Sequence, residues 1–307
     1  MQMLDTPLIT STLGLLDGDM RSRQMTDPAT NNWGSDGALT LATVASLSSG
    51  YNLSKMMTEF TKWYTNGAYS LNHEKVMPGH TTRYALEEYL QAHDPYSSGG
   101  RGIHDNGSGA LMRLTPVVLF LITQYGNEFY KDDAARLILH QVAGLTHNHP
   151  QGLIGAGLYG TFLSLLLTTR NVQDAAEEAL AETYEYYSKH TIFANELPAF
   201  ERLNRPAFVE MSIDALEANG YFISTIESVL WVMYHAVSYE DALTLTRGIA
   251  GQSHRILPLV GALAGMYFGV SQLPDYIKNI EKNNVAAQVL ERALRSGNFI
   301  AQPAMNE

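Results

Sequence analysis

Apolar residues recur at helical spacing along most of the chain. Over Ser35 to Leu47 (SDGALTLATVASL), Leu39, Ala42, Val44 and Leu47 fall near one face of a 3.6-residue turn. Leu53 to Tyr64 places Met56, Met57, Phe60, Trp63 and Tyr64 at the same spacing, with Asn52 as the capping residue. This Met and aromatic stripe reads as core, because unbranched Met and flat rings fill irregular interior space. Further helices are predicted over Leu4–Leu16, His80–Leu90, Ala110–Tyr125, Asp132–Leu145, Gln151–Thr168 and Val172–His190. Tyr221 to Tyr239 closes on a capped start at Ser238, and Ile256–Val270 and Pro274–Leu294 follow. Residues 191–219 are mixed and short-segmented. Alternating β-branched runs bounded by tight turns are nearly absent, so strands are not expected. Neither a fixed-period repeat nor a Pro- or Gly-rich linker divides the chain. The expected fold is all-α, a single compact multi-helix domain over 1–307, with function carried by its loops.

Five breaks in the pattern carry candidate chemistry. Arg247 to Pro258 (RGIAGQSHRILP) interrupts two apolar helices, and Gly248 and Gly251 allow backbone angles other residues avoid. Ser253 is the expected N-cap of the helix that follows. Gln252, Ser253, His254 and Arg255 would then stand at a helix N-terminus, where unpaired N–H groups and the helix dipole attract anions. Residues 94–109 (DPYSSGGRGIHDNGSG) form an irregular loop, in which Gly107, Ser108 and Gly109 suit close approach of a phosphate to the backbone. Trp33-Gly34-Ser35-Asp36-Gly37 opens a helix; Ser35 or Asp36 is either its cap or, for Asp36, a carboxylate facing a shared pocket. Asp17 and Asp19, flanking Gly18, are turn formers or pocket carboxylates by the same alternatives. In Thr146 to Pro150, His147 and His149 cap a helix C-terminus or serve a ligand; as a zinc pair they lack a third partner close by in sequence. The acidic run Glu177, Glu178, Glu182 and Glu185 reads as a solvated face.

Composition narrows the functional classes. With 20 Lys and Arg against 31 Asp and Glu, the formal charge is −11, which disfavours a nucleic-acid partner. The absence of cysteine excludes disulfides and thiolate metal sites. The start, MQMLDTPLITSTLG, has neither the charged lead nor the apolar run of a signal peptide. The longest apolar stretches, 153–167 and 256–270, contain glycines and fall short of the roughly 20 residues that span a bilayer. A cytoplasmic protein with no membrane partner is expected.

In order along the chain, Leu15–Asp19, Trp33–Thr43, Asp105–Arg113, Thr146–Pro150, Gly220–Leu230 and Gly248–Gly265 resemble the ADP-ribosylglycohydrolase family, which includes the dinitrogen-reductase-activating glycohydrolases. The similarity covers about residues 8–275, followed by a C-terminal helical tail. It implies an all-α fold, with two Mg2+ ions that orient ADP-ribose for cleavage of its bond to a protein side chain. The departures are as specific as the match. Where the family reads Trp-(Ser/Thr)-Asp-Asp-(Thr/Ser), this chain has Gly34 for the hydroxyl residue, Ser35 for the first carboxylate, and retains Asp36. Where it reads Gly-Gly-Asp-Thr-Asp-Thr, this chain has Ala250, Gly251, Gln252, Ser253, His254 and Arg255. The family's Gly-Asp-Ala-Leu-Gly run leads to a catalytic Glu; here Gly18-Asp19 is followed by Met20-Arg21-Ser22, with no matching Glu. Its Gly-Asn-Gly-Ser loop corresponds to Gly107-Ser108-Gly109-Ala110.

Mg2+ needs oxygen ligands in near-octahedral array, and an always-charged Arg opposes it. The resemblance thus implies a site turned from carboxylates and metals to basic side chains, with the Mg2+ pair absent and no other cofactor. The expected ligand is a small anion such as ADP-ribose or a phosphate, with an ADP-ribosylated protein as the expected macromolecular partner. Asp19, Ser35, Gly107, Ser108, Gly109, His147, His149, Gln252, Ser253 and Arg255 are the expected ligand-binding residues. Two activities are open, beside a purely structural role in which large side chains from Gln252 to Arg255 fill the old pocket. One is non-hydrolytic binding or regulation; the other is a metal-independent hydrolase of ADP-ribosyl or nucleoside-type bonds, with Asp36 and His254 as the catalytic pair.

Overall fold

A computed structural model describes residues 33–70, 73, 76–275 and 284–299, apart from the side chains of His254 and Asn284. The helix expected over Leu4–Leu16, and with it Asp17 and Asp19, lies outside the described residues. The described chain is helical, as its periodicity requires. Helices α1 (Ser35–Leu47), α2 (Leu53–Asn66) and α3 (His80–Ala92) come first, then α4 (Thr115–Tyr125), α5 (Asp133–Gly144), α6 (Pro150–Thr169) and α7 (Val172–Ser188). A short turn, α8 (Thr191–Ala194), leads through 3-10 segments to α9 (Phe222–His235), α10 (Tyr239–Gly248), α11 (Leu257–Phe268) and α12 (Asn284–Ser296). Several ends are set by side chains satisfying first-turn N–H groups. The Asn52 carboxamide accepts from Lys55 N at 2.8 Å, Asp132 from Ala135 N at 3.0 Å and Ser238 from Asp241 N at 3.1 Å.

Helix α6 is buried along most of its length and packs most extensively on α7. Glycines make that closeness possible. A Cβ on Gly155 would lie 2.0 Å from Phe222 Cε1, and one on Gly157 would lie 1.9 Å from Tyr187 Oη. By length and composition α6 meets the criterion for a membrane span, but 78% of that stretch is buried by the protein itself. Around it one apolar cluster extends from Trp33 to Phe299.

Three expectations need correction. The helix expected over Ala110–Tyr125 is two pieces: a 3-10 segment, Ser108–Arg113, and α4, which has Pro116 in its first turn. Proline cannot donate to the preceding turn and disfavours helical geometry just before it, so the α-helix begins anew. Ser253 does not cap α11. It opens a separate 3-10 turn, Ser253–Arg255, and Ile256 stands at the N-cap position with no side-chain bond. Strands are short but present: β1 (Glu217–Ala218) and β2 (Ala250–Gly251) pair in parallel, Glu217 with Ala250 and Ala218 with Gly251.

Candidate functional site

A cleft of about 330 Å³ opens where the start of α1, the start of α3, the 107–109 loop and the 220 and 255 turns meet. Trp33 fixes the first wall. Its buried ring donates Nε1–H to Tyr69 O at 2.7 Å, and a Cβ on Gly37 would lie 2.8 Å from Trp33 Cβ and 3.0 Å from its ring at Cγ. Neither Ser35 nor Asp36 caps α1; Gly34 occupies that position. Both residues line the cleft from the first helical turn. The Thr40 hydroxyl bridges the Asp36 and Met112 carbonyls at 2.7 and 3.1 Å, locking that turn to the segment bearing Arg113.

The floor is built from backbone. Ser108 N donates to Gly220 O at 3.0 Å and Phe222 N to Asn106 O at 2.9 Å, so the glycine loop is pinned to the start of α9. The Ser108 amide is therefore committed within the protein. Gly109 is closely packed: a Cβ there would lie 3.1 Å from His147 Cε1 and 3.2 Å from Thr82 Oγ1, so a neighbour would have to give by a few tenths of an ångström. Gly220 has φ +84°, and a Cβ on it would stand 3.4 Å from Arg255 Nη1. The strand pair and the bond from Gln252 N to Ala218 O at 2.7 Å hold the Arg255 turn against this corner.

Beneath the floor lies Arg113, fully buried. It donates from Nη1 to Gly109 O at 2.9 Å and from Nη2 to the Thr146 hydroxyl, and its guanidinium sits 5.2 Å from the Phe60 ring centre. Burial pulls its pKa down to about 10, with the Asp36 carboxylate pulling the other way, so it is still cationic at neutral pH. Thr146 Oγ1 lies 2.7 Å from His147 Nδ1. Accepting from Arg113, that hydroxyl has its one proton to give to Nδ1. Burial, and next the charge of Arg113, lower the His147 pKa to about 3. A neutral imidazole that accepts at Nδ1 carries its proton on Nε2, the edge facing Gly107 and Gly109. The cleft thus holds an exposed guanidinium at its mouth, a neutral N–H donor on its floor and Asp36, its one carboxylate among the described lining residues.

This arrangement of helix starts around a glycine-lined floor has relatives. The family model for ADP-ribosylglycohydrolase matches residues 7–302. The chain belongs to the ADP-ribosylglycohydrolase family. It is 24% identical over 245 residues to ADP-ribosylarginine hydrolase Tri1 of Serratia proteamaculans (strain 568), covering 79% of this chain and 61% of that protein. It is 25% identical over 220 residues to ADP-ribosyl-[dinitrogen reductase] glycohydrolase of Rhodospirillum rubrum, covering 71% of this chain and 62% of that protein. The chain thus spans less than two thirds of the length of either relative. A solved chain described as an ADP-ribosylglycohydrolase-related protein complex superposes with a TM-score of 0.67 at 21% identity, covering 97% of both chains, which shows the shared fold.

Within this glycohydrolase-family cleft, the structure brings together Ser35, Asp36, Gly107, Ser108, Gly109, His147 and Arg255. It does not bring in His149, Gln252 or Ser253. The His149 ring is an N-cap for α6, with Nδ1 accepting from Gln151 N at 3.3 Å and lying 2.9 Å from Asn106 Nδ2. It starts one helix rather than ending another. Gln252 is exposed outside the cleft, and the buried Ser253 Oγ has no hydrogen-bond partner among the described residues. Asp19 lies outside the described residues, and His254 contributes a backbone position on the 3-10 turn. Arg113 was not among the expected site residues. The signal that could have found it is a lone Arg inside an otherwise apolar run, since a buried cation needs partners.

The described donors do not suit a pair of Mg2+ ions. Among the described residues no three His, Asp or Glu side chains converge as a metal site would. One carboxylate with a guanidinium at the mouth and another below the floor favours an anion over two divalent cations.

Proposed function

We propose that this protein is a non-hydrolytic ADP-ribose-binding or regulatory member of its family, recognising a diphosphate-bearing ligand without Mg2+. The supporting observation is Arg255 at the cleft mouth, three residues past Gln252 and beside His254, the positions where the resemblance implies metal-binding acids, with the buried Arg113 adding positive charge beneath the floor. A guanidinium matches phosphate oxygens with two parallel N–H donors. The His147 Nε2–H adds a neutral donor whose protonation is fixed from about pH 4 upward. Asp36, the one carboxylate among the described lining residues, would accept from a hydroxyl of the ligand. The relatives act on ADP-ribosylated arginine and dinitrogen reductase, as their names state. An ADP-ribosylated protein is accordingly the proposed partner, bound through its modification.

Thermal denaturation with ADP-ribose tests this. The ligand should raise the Tm by several degrees at millimolar concentration, equally in EDTA and in Mg2+. Arg255→Glu should abolish the rise. Incubation with ADP-ribosylarginine should release no ADP-ribose. A rise that requires Mg2+, or turnover in either condition, overturns the proposal.

A further inference from the structure

A second concavity of about 320 Å³ lies beside the cleft's His147 turn but outside the cleft. The two sites share that turn: His147 lines the cleft and Asn148, the next residue, lines this groove. Its walls are rings. Phe193 lies 5.6 Å from His140, and Tyr186 lies 5.2 Å from His190. Tyr96 projects at the rim, 61% exposed. Among the described lining residues there is no Asp, Glu, Lys or Arg, so a charged ligand would find no permanently charged partner there.

Two primary amides supply its polarity. The Gln141 carbonyl accepts from the Tyr51 hydroxyl at 2.6 Å, which fixes the amide and leaves its NH2 as donor. The Asn148 carboxamide has no hydrogen-bond partner among the described residues. The missing side chain of Gly144 gives it space, since a Cβ there would lie 2.9 Å from Asn148 Oδ1. An amide presents a donor and an acceptor in one plane, the pattern that pairs with the edge of a purine. Rings beside it offer stacking to the face of the same molecule.

We propose that this groove binds an uncharged, flat nitrogen heterocycle of the purine-nucleoside class, with Asn148 and Gln141 reading its edge and the ring wall holding its face. The site is separate from the cleft and does not rest on the function proposed for it.

Saturation-transfer NMR with the full chain and adenosine tests the assignment. Transfer to the base protons is expected at millimolar adenosine. Tyr96→Ala, at an exposed rim position, and Asn148→Leu should each weaken binding about tenfold, with the Tm reporting that the variants fold. Arg255→Glu separates the sites, and retained transfer in that variant is expected. Three results overturn the proposal: no transfer to adenosine, loss in Arg255→Glu but not in the groove variants, or phenol binding as well as adenosine with no effect of Asn148→Leu.

Discussion

Replacing Arg113 by Met should separate stability from ligand binding. Burial lowers the guanidinium pKa to about 10, equivalent to roughly 3 kcal/mol of lost solvation at about 1.4 kcal/mol per pKa unit. Met fills similar length without that cost and keeps contact with Phe60. Against the gain stands Gly109 O, which loses its donor at 2.9 Å; a buried orphan of this kind costs about 1–3 kcal/mol. Thr146 retains His147 as a partner. The terms nearly cancel, as replacement of buried charge by an apolar side chain often does. The Tm should move by no more than about 4 °C in either direction. Binding should respond far more. Arg113 positions Gly109 directly and His147 through Thr146, so calorimetric titration with ADP-ribose should show affinity reduced at least about tenfold. Arg113→Lys should fall between, because a single ammonium restores charge but not both directed bonds. Wild-type affinity in Arg113→Met would refute the positioning argument, and global unfolding of Arg113→Met would refute the cancellation.

Other consequences follow from the same geometry. His147 and His140 both have folded pKa values lowered to about 3, chiefly by burial, so each contributes stability that is present above the unfolded value near 6.5 and is lost as pH falls below it. Urea denaturation should show stability falling below pH 6 by up to about 1.4 kcal/mol per pH unit for each histidine, and His140→Gln should make the slope shallower; an unchanged slope refutes the assignment. Gly99→Ala would set a Cβ 1.9 Å from Gly144 O and should destabilise by more than about 2 kcal/mol, whereas Gly79→Ala, with nothing within 4 Å, should be nearly neutral by the same assay. Ser253→Ala removes a buried hydroxyl that has no hydrogen-bond partner among the described residues and should leave stability unchanged or raise it by up to about 1 kcal/mol; a loss larger than that would reveal a partner for Ser253.

Much of the fold could be read in the sequence because its helices announce themselves locally. Asn52, Asp132 and Ser238 cap as their side chains allow, and the apolar stripe from Met56 to Trp63 is buried as its spacing requires. Pro116 also carried a legible sign, a break in what otherwise reads as one helix. The site was partly legible through Asp36, the 107–109 glycine loop, His147 and Arg255. What escaped was set by contacts distant in sequence. The charge of Arg113 is buried against Gly109, Thr146 and Phe60, and no periodicity shows that. His149 differs from His147 only in the direction its turn gives it, toward Asn106 and the α6 amides. Gln252 and Ser253 fall away from the cleft because a 3-10 turn intervenes before α11.

The pairing of β1 with β2 bears on when this protein becomes competent during synthesis. Gly220 and Arg255 take their places in the cleft only after the strand at Ala250 has docked on the strand at Glu217, while the opposite wall begins at Gly34. A ribosome must therefore release the chain past Arg255 before the cleft is complete, whereas the aromatic groove is already encoded by Phe193. Premature termination ahead of Ala250 would leave the earlier helices with a cleft lacking its Arg255 wall.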